Sequence, residues 1–337
     1  MTFAGSKAVT PLALTMGEPA GIGSEITAMA WRALRASGPT FFLIGDPEYI
    51  GAQGVPIATI ERPSDASRIF HEAVPVLPIA LTSTVKPGHP DTNNASAVVE
   101  SIRQAVCLAQ TGDALGIVTN PIQKATLYAA GFQFPGHTEF LEHLAGDSFR
   151  SIMMLACPAL RVIPVTIHVA LREAVSRLTA ERILETGRAT AKALVSDFGI
   201  PTPRLAVAGL NPHAGENGTM GREDLEIVMP AVDALRAEGI DAFGPLPADT
   251  LFTPRRRRTY DAALCMYHDQ ALIPLKTLDP DGGVNVTLGL PFVRTSPDHG
   301  TALDIAGSGQ AEPSSLIAAI LMAAELASRR NQQGRMP

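Results

Sequence analysis

Short apolar runs recur along the chain, and each ends in a turn that carries polar residues and leads into a stretch with helical character. Short β-rich runs that alternate with helices are typical of a parallel α/β architecture. In such sheets, ligands bind outside the carboxyl ends of the strands. The polar residues that end these runs are therefore the first candidates for a functional site. The runs are LALTM (12–16), FFLI (41–44), ALGIVT (114–119), RLAVAGL (204–210) and AALCMYH (262–268).

Longer segments predict helices over 96–111, 172–198, 223–238 and 314–330. The last of them begins at a pair of serines that can cap it and ends with two arginines, which suits the helix dipole. The sequence shows no internal repeat, low-complexity tract or proline-rich linker that would separate two halves cleanly. We therefore expect domains that interleave in sequence.

Composition limits the classes of protein to which the chain can belong. Its 337 residues are enough for two domains, and 46% hydrophobic residues with 29 Gly and 27 Pro are typical of a globular protein with many turns. A formal net charge of −6 provides no basic field, so neither nucleic acid nor a membrane is expected as a partner. The 3 cysteines show no pairing pattern, and no signal peptide or spanning segment is recognisable, so we expect a soluble, cytoplasmic protein without disulfides.

Three histidines share one setting, because His168, His213 and His268 each lie at or just past the carboxyl end of an apolar run. A catalytic metal commonly takes three protein ligands, and neutral imidazole suits zinc, cobalt or nickel. Each histidine alone is explained as well by a structural role. Because all three share this position, a common metal site explains them as well as separate structural roles do.

A second group of residues suits an anion. His137 lies just before the segment 138–145, in which Thr138 can cap a helix, and a helix N-terminus attracts anions. Lys276, Asn285 and Arg294 follow His268 and suit a phosphate or a carboxylate, which Arg can bind through two hydrogen bonds. Unrelated surface charges on a long loop are the alternative explanation.

Seven segments together resemble the 4-hydroxythreonine-4-phosphate dehydrogenase family of vitamin B6 biosynthesis. The family is similar in fold to the isocitrate and isopropylmalate dehydrogenases, so the resemblance implies two interleaved α/β/α domains with a cleft between them. The segments are LTMGEPAGIGSE, VTNPIQKATL, FPGHTEFL, GLNPHAGENGTMGREDLE, PLPADTLF, MYHDQALIPLKTL and GVNVTLGLPFVRTSPDHGTALDIAG.

The resemblance also implies roles for individual residues and for their partners. It implies a homodimer with its active site at the subunit interface, NAD or NADP as the cofactor, and one divalent metal per site (zinc, magnesium or cobalt). We expect His268 to be the metal ligand that crosses to the partner subunit. DHGTALDIAG resembles the adenosine-binding stretch of the isocitrate dehydrogenase class. The implied residues are His168, His213 and His268 for the metal, His137, Thr138, Lys276, Asn285 and Arg294 for the substrate, and His299, Gly300 and Asp304 for the cofactor.

The implied reaction oxidises C3 of 4-phosphooxy-threonine by hydride transfer, and the β-keto acid then loses carbon dioxide to give 3-amino-2-oxopropyl phosphate. The proton acceptor stays open among Asp249, Asp269 and Lys124. We place a cofactor-side domain at 1–130 plus 300–337, and a domain for metal, substrate and dimerisation at 131–299.

Two alternatives remain open at this point. A related dehydrogenase acting on a phosphorylated threonate or on an aromatic cis-dihydrodiol would carry the same motifs. A three-histidine metal hydrolase needs no dinucleotide, and the HGTALDIAG stretch argues against it.

Overall fold

The computed structural model describes residues 10–332, which form short strands alternating with helices. The strands follow the apolar runs, since consecutive buried residues suit strands that are covered on both faces. In chain order they are β1 (Leu12–Thr15), β2 (Phe41–Gly45), β3 (Ile57–Thr59), β4 (Val74–Pro78), β5 (Ile117–Thr119), β6 (Ile152–Cys157), β7 (Leu160–Pro164), β8 (Arg204–Ala208), β9 (Asp241–Leu246), β10 (Ala262–Cys265), β11 (Val284–Leu288) and β12 (Arg294–Pro297).

The helices of the described chain range from single turns to five turns. They are α1 (Gly23–Leu34), α2 (Pro47–Gly51), α3 (Ala66–Ile69), α4 (Ala95–Thr111), α5 (Lys124–Ala129), α6 (His137–Ala145), α7 (Leu171–Arg177), α8 (Ala180–Ser196), α9 (Met229–Ala237), α10 (Ala248–Leu251), α11 (Pro254–Arg257), α12 (His268–Leu278) and α13 (Ser314–Gln332). No helix between residues 10 and 332 is both long and apolar enough to span a membrane.

The chain divides into two compact units. The first comprises Met1–Ser151 and Leu290–Pro337, and the second is Ile152–Gly289. In the first unit the strands lie in the order β3-β4-β2-β1-β5-β12, and all of them are parallel. Its core packs residues of β1, β2 and β5 against α4 and α6.

The second unit has the strand order β11-β6-β7-β10-β8-β9. Its strands β7, β10, β8 and β9 are parallel, whereas β6 runs antiparallel to both of its neighbours. Its core packs β6, β7, β8 and β10 against α12. The predicted α/β class and the interleaving of the two halves are confirmed.

The boundaries of the units differ from the predicted ones at 130 and 299. Residues 131–151 lie in the first unit because α6 buries Phe140 and Leu141 in that unit's core. Residues 290–299 also lie there, since Arg294 of β12 is in register with Ile117 of β5.

The prediction of one helix over 172–198 is wrong. Leu178 and Thr179 have extended backbone angles, and the Thr179 hydroxyl accepts a hydrogen bond from the backbone N–H of Arg182 at 3.2 Å. The threonine therefore caps a new helix instead of continuing the old one. The predicted helix over 223–238 is confirmed as one continuous helical segment, in which a wider helical turn (Asp224–Val228) leads directly into α9.

Candidate active site

The three predicted metal ligands follow three neighbouring parallel strands of the second unit. His168 comes after β7, His268 after β10 and His213 after β8, and β10 lies between the other two strands. The carboxyl ends of parallel strands meet at one edge of the sheet. The fold thus brings three segments that were far apart in sequence to the same edge.

Two of these histidines lie side by side within one chain. The ring centroids of His168 and His268 are 5.5 Å apart. The Nδ1 atom of His268 lies 2.9 Å from Oδ1 of Asp269. Since an ionised carboxylate only accepts hydrogen bonds, Nδ1 carries the proton, and Nε2 of His268 keeps the lone pair with which imidazole binds metals.

His168 and His213 both have backbone conformations that are unusual for residues with a side chain. Their φ angles are 49° and 52°, and the left-handed conformation continues from His213 through residue 217. Such conformations cost on the order of 1–2 kcal/mol per residue, persist only where the surroundings enforce them, and cluster at functional sites.

Asp224 is the residue that holds the loop of His213. Its buried carboxylate accepts hydrogen bonds from the backbone N–H of Leu210 at 2.7 Å and from the backbone N–H of Asn211 at 3.0 Å. The Asn211 side-chain amide donates a third bond, also of 3.0 Å. Sequence reasoning missed Asp224, because only the fold shows that this acidic residue turns inward.

Within residues 10–332 no three His, Cys, Asp or Glu side chains are grouped so that they could hold a metal ion. One chain thus pairs His168 with His268 but does not complete a set of three with His213. The donors themselves suit a metal, since an imidazole oriented by a carboxylate is a common arrangement in metalloproteins. They are the ligand type that zinc and cobalt prefer.

The first unit gathers a separate set of charged residues. Arg294 is buried at the start of β12, and its Nη2 donates a 2.6 Å hydrogen bond to Oγ1 of Thr119 at the end of β5. Burial lowers the pKa of Arg294 to about 10, so the guanidinium remains charged at neutral pH. Burial first, and then the charges of Arg294 and Lys124, hold the pKa of His137 well below its ordinary value. His137 is therefore neutral beside two cations.

Several predicted site residues carry buried polar atoms that have no hydrogen-bond partner within the described chain. They are Nε2 of His137, Oδ1 of Asn285 and Nε2 of His299. Native proteins leave few such atoms unsatisfied, because each one costs about 1–3 kcal/mol. A ligand at these predicted binding residues would complete their hydrogen bonds.

The helix that carries His137 begins one residue earlier than expected. His137 is the first residue of α6, Gly136 occupies the cap position, and Thr138 makes no capping hydrogen bond. A side chain at position 136 would be in close contact with Lys124, since a Cβ atom there would lie 3.3 Å from both Cε and Nζ of the lysine. Lys124 therefore lies near the start of α6, together with the carboxylate of Glu139, whose Oε2 would be 3.2 Å from the same Cβ atom.

The remaining predicted catalytic and substrate residues differ in their surroundings. Asp269 is exposed but engaged with His268, and Asp249 is exposed on the short helix α10. Lys276 is exposed near the end of α12, whereas Asn285 lies in β11 and is partly buried. These four residues belong to the second unit, and Lys124 belongs to the first.

The predicted cofactor loop in the first unit lies against the turn that follows β1. Ile22 donates its backbone N–H to the carbonyl of Thr301 at 3.1 Å, and a Cβ atom at Gly21 would come within 2.7 Å of that same carbonyl oxygen. Gly300 is different, because a Cβ atom there would meet nothing within 4 Å. The His299 ring turns its Nδ1 toward the Gly300 carbonyl at 2.9 Å, while Asp304 is exposed.

Asn120 is a further residue that sequence reasoning missed. It is fully buried after β5, and its Nδ2 donates to the carbonyl of Thr15 and to Oγ1 of Thr27, both at 3.0 Å. The side chain therefore joins β5, β1 and α1. The Asn-Pro pair after a strand was the available signal, since the chain there must turn away from the sheet.

The family described as "Pyridoxal phosphate biosynthetic protein PdxA" matches residues 39–323 of this chain. A curated protein of Caulobacter vibrioides, named 4-hydroxythreonine-4-phosphate dehydrogenase, is 56% identical over 327 residues, which is 95% of this chain and 98% of the relative.

Solved structures show the same likeness. A 4-hydroxythreonine-4-phosphate dehydrogenase from Klebsiella pneumoniae superposes with a TM-score of 0.86 at 39% identity, covering 96% of this chain and 99% of the other. A terephthalate 1,2-cis-dihydrodiol dehydrogenase from Burkholderia xenovorans follows with a TM-score of 0.64 at 27% identity, covering 94% and 98%. These relatives are dehydrogenases, and none of the three favours the metal hydrolase alternative.

Proposed function

Because this chain belongs to the PdxA family of pyridoxal phosphate biosynthetic proteins, we propose that it is a metal-dependent 4-hydroxythreonine-4-phosphate dehydrogenase. The substrate is 4-phosphooxy-threonine, and its C3 alcohol loses a hydride to NAD or NADP and a proton to a base. The resulting β-keto acid releases carbon dioxide and becomes 3-amino-2-oxopropyl phosphate.

The observation that carries this proposal is the sheet edge of the second unit, where three histidines follow adjacent strands and His268 is oriented by Asp269. His168, His213 and His268 would hold zinc, magnesium or cobalt. A divalent metal at that position acidifies an alcohol and polarises a carbonyl oxygen. Asp269 engages Nδ1 of His268, so Nε2 would be the ring nitrogen available to bind the metal.

The anionic ends of the substrate need cationic and donor groups, and the proposed substrate residues are of these types. Arg294 offers a planar guanidinium suited to bidentate binding of phosphate or carboxylate, and its pairing with Thr119 fixes its orientation. Neutral His137 either donates or accepts a hydrogen bond without adding charge. The proposed substrate residues are His137, Thr138, Lys276, Asn285 and Arg294.

The proton acceptor is proposed from what each candidate already contacts. Asp269 orients His268, so its carboxylate is engaged before the substrate binds. Lys124 lies near the start of α6 and its charge acts on His137, and Asp249 is exposed on α10. We propose that the base is either Lys124 or Asp249. The variants Lys124→Met and Asp249→Asn, each examined by a pH profile of kcat, distinguish the two candidates.

The proposed cofactor segment is His299 to Asp304. The unpartnered Nε2 of His299 and the open space beside Gly300 support it, because a ring can approach the backbone there. The proposed assembly is a homodimer with a shared active site. It is supported by the incomplete ligand set of one chain over residues 10–332.

One assay tests the activity. The protein is mixed with a divalent metal, NAD or NADP, and 4-phosphooxy-threonine, and both the reduced nicotinamide and the released carbon dioxide are measured. We expect both products with this substrate, and much slower turnover of non-phosphorylated hydroxythreonine, of a phosphorylated threonate and of a terephthalate cis-dihydrodiol. Absence of reduced nicotinamide, or preference for one of the other substrates, would overturn the proposal.

A further inference from the structure

The backbone N–H and carbonyl groups of Met266 are both held by buried side chains. Met266 directly follows β10 and precedes His268 by two residues. Oγ1 of Thr166 donates a 2.8 Å hydrogen bond to the Met266 carbonyl oxygen. The Met266 N–H donates a 2.6 Å hydrogen bond to Oε1 of Gln270. Neither side chain is more than 7% exposed.

Gln270 uses its other polar atom to reach a second strand end. Its Nε2 donates a 2.7 Å hydrogen bond to the carbonyl oxygen of Gly209, the first residue after β8. Gly209 lies four residues before His213. One side chain therefore joins the end of β10 to the end of β8, and both of its polar atoms are used.

Thr166 extends the connection to the third strand. It stands two residues past the end of β7 and two residues before His168. The four residues Thr166, Met266, Gln270 and Gly209 thus form a continuous chain of hydrogen bonds across the loops of all three histidines. We call this chain the strand-end clamp.

We propose that Gln270 and Thr166 are positioning residues that set the spacing of the three histidine loops for metal binding. The inference rests on the proposed metal role of His168, His213 and His268. Metal–ligand distances tolerate errors of only about 0.2 Å, so loops that carry ligands need fixed anchors. Removing an outer residue that orients ligands typically costs 10–100-fold in metal affinity.

A purely structural role would alter stability and leave metal affinity unchanged, so the test measures both quantities. The clamp variants are Gln270→Met, which keeps the length of the side chain, and Thr166→Val, which keeps its shape. The matched control is Thr186→Val, because Thr186 is also buried and its Oγ1 donates a 2.7 Å hydrogen bond to the carbonyl of Arg182 within α8. The Kd for Co²⁺ is measured by chelator competition on the full-length protein without substrate or dinucleotide, and thermal unfolding is followed on the metal-free protein.

We expect both clamp variants to raise the Kd for Co²⁺ by about 10-fold or more. Thr186→Val should lower the thermal midpoint to a similar extent and leave the Kd unchanged. Thr166→Ser keeps the hydroxyl and should restore the wild-type Kd. If Gln270→Met does not fold, the comparison of Thr166→Val with Thr166→Ser decides the question alone.

The outcomes separate this inference from the function on which it rests. If His213→Ala binds Co²⁺ as the wild type does, the metal assignment itself is wrong. If His213→Ala loses Co²⁺ while folded Thr166→Val keeps the wild-type Kd, the metal assignment stands and the clamp has no positioning role. A Kd that rises equally in Thr186→Val would also overturn the clamp, because metal affinity would then merely follow stability.

Discussion

At the scale of single residues, the surroundings of His137 make its charge state a testable property. Burial and two nearby cations hold its pKa below the ordinary value, so the folded protein keeps it neutral while the unfolded chain protonates it near pH 6.5. Below that pH the unfolded state binds more protons than the folded state. The contribution of His137 to stability is therefore present above about pH 6.5 and is lost as the pH falls.

We expect the wild type to lose free energy of unfolding between pH 7 and pH 5 more steeply than His137→Asn. The difference in slope should approach, and not exceed, about 1.4 kcal/mol per pH unit, which is the value for one proton. Urea unfolding of both proteins at several pH values measures it. Parallel pH dependences would contradict the buried, neutral state of His137.

Arg294 should bind the anionic substrate through a charge-assisted contact. Arg294→Ala removes that contact, so kcat/KM should fall by at least about 10-fold, which corresponds to 1.4 kcal/mol. Arg294→Lys should not restore it, since an ammonium cannot form paired hydrogen bonds. Steady-state kinetics at low substrate concentration measure the loss in kcat/KM. The control variant is Arg177→Ala, which removes an exposed ion-pair partner of Glu173. Unchanged kcat/KM in Arg294→Ala would remove this residue from the binding site.

Gly300 offers a test of the cofactor assignment with little risk to the fold. A Cβ atom at this position would meet no described atom within 4 Å, so we expect Gly300→Val to keep the wild-type thermal midpoint. If the dinucleotide lies against this backbone, its Kd and KM should rise far more than the KM of the phosphorylated substrate. Wild-type dinucleotide affinity in this variant would place the cofactor elsewhere.

At the scale of elements, the loop after β8 depends on one carboxylate. Asp224 accepts hydrogen bonds from the backbone N–H groups of Leu210 and Asn211 and from the Asn211 side-chain amide, just before the left-handed turn that begins at His213. Asp224→Ala leaves these donors without partners, and each buried orphan costs about 1–3 kcal/mol. We expect a loss of several kcal/mol in the free energy of unfolding and faster proteolysis within 210–218, both measurable on the metal-free protein. Proteolysis at the wild-type rate would show that other contacts hold the loop.

The elements also show how far the sequence could predict the structure. Apolar runs and following polar turns located strands such as β1, β8 and β10, because buried parallel strands are marked by composition alone. The break at Thr179 was missed because a threonine can continue a helix or cap one, and only packing decides. The left-handed turn from His213 onward was not predictable, since only the fold shows Asp224 bonded to Leu210 and Asn211 ahead of it.

The candidate site was predictable to a similar degree. The three histidines were identifiable because each follows a strand end, and parallel topology brings strand ends together. The neutral state of His137 and the clamp through Gln270 were not, because they depend on burial and on contacts between segments far apart in sequence. The residue types indicated a metal and anion site, whereas only the contacts in the fold show which other residues hold those side chains in place.

At the scale of the whole molecule, the proposed shared site makes a prediction about mixed dimers. Within one chain His168 and His268 are 5.5 Å apart, as two ligands of one ion would be, while one chain groups no third ligand with them among residues 10–332. The resemblance implies His268 as the ligand from the partner subunit, and we propose His213 as the alternative to be tested against it. Each site would then contain His168 and His268 of one protomer and His213 of the other.

Pairs of inactive variants distinguish the two arrangements. Mixing His213→Ala with His268→Ala gives a heterodimer in which one site has both mutations and the other has none, so up to half of the wild-type activity per heterodimer should return. Mixing His168→Ala with His268→Ala damages both sites and should restore nothing. Co-expression with two different affinity tags isolates the heterodimers, and bound Co²⁺ per dimer provides a readout independent of turnover. Recovery in both pairs would return His268 to the partner's side, and recovery in neither would place all three ligands within one subunit.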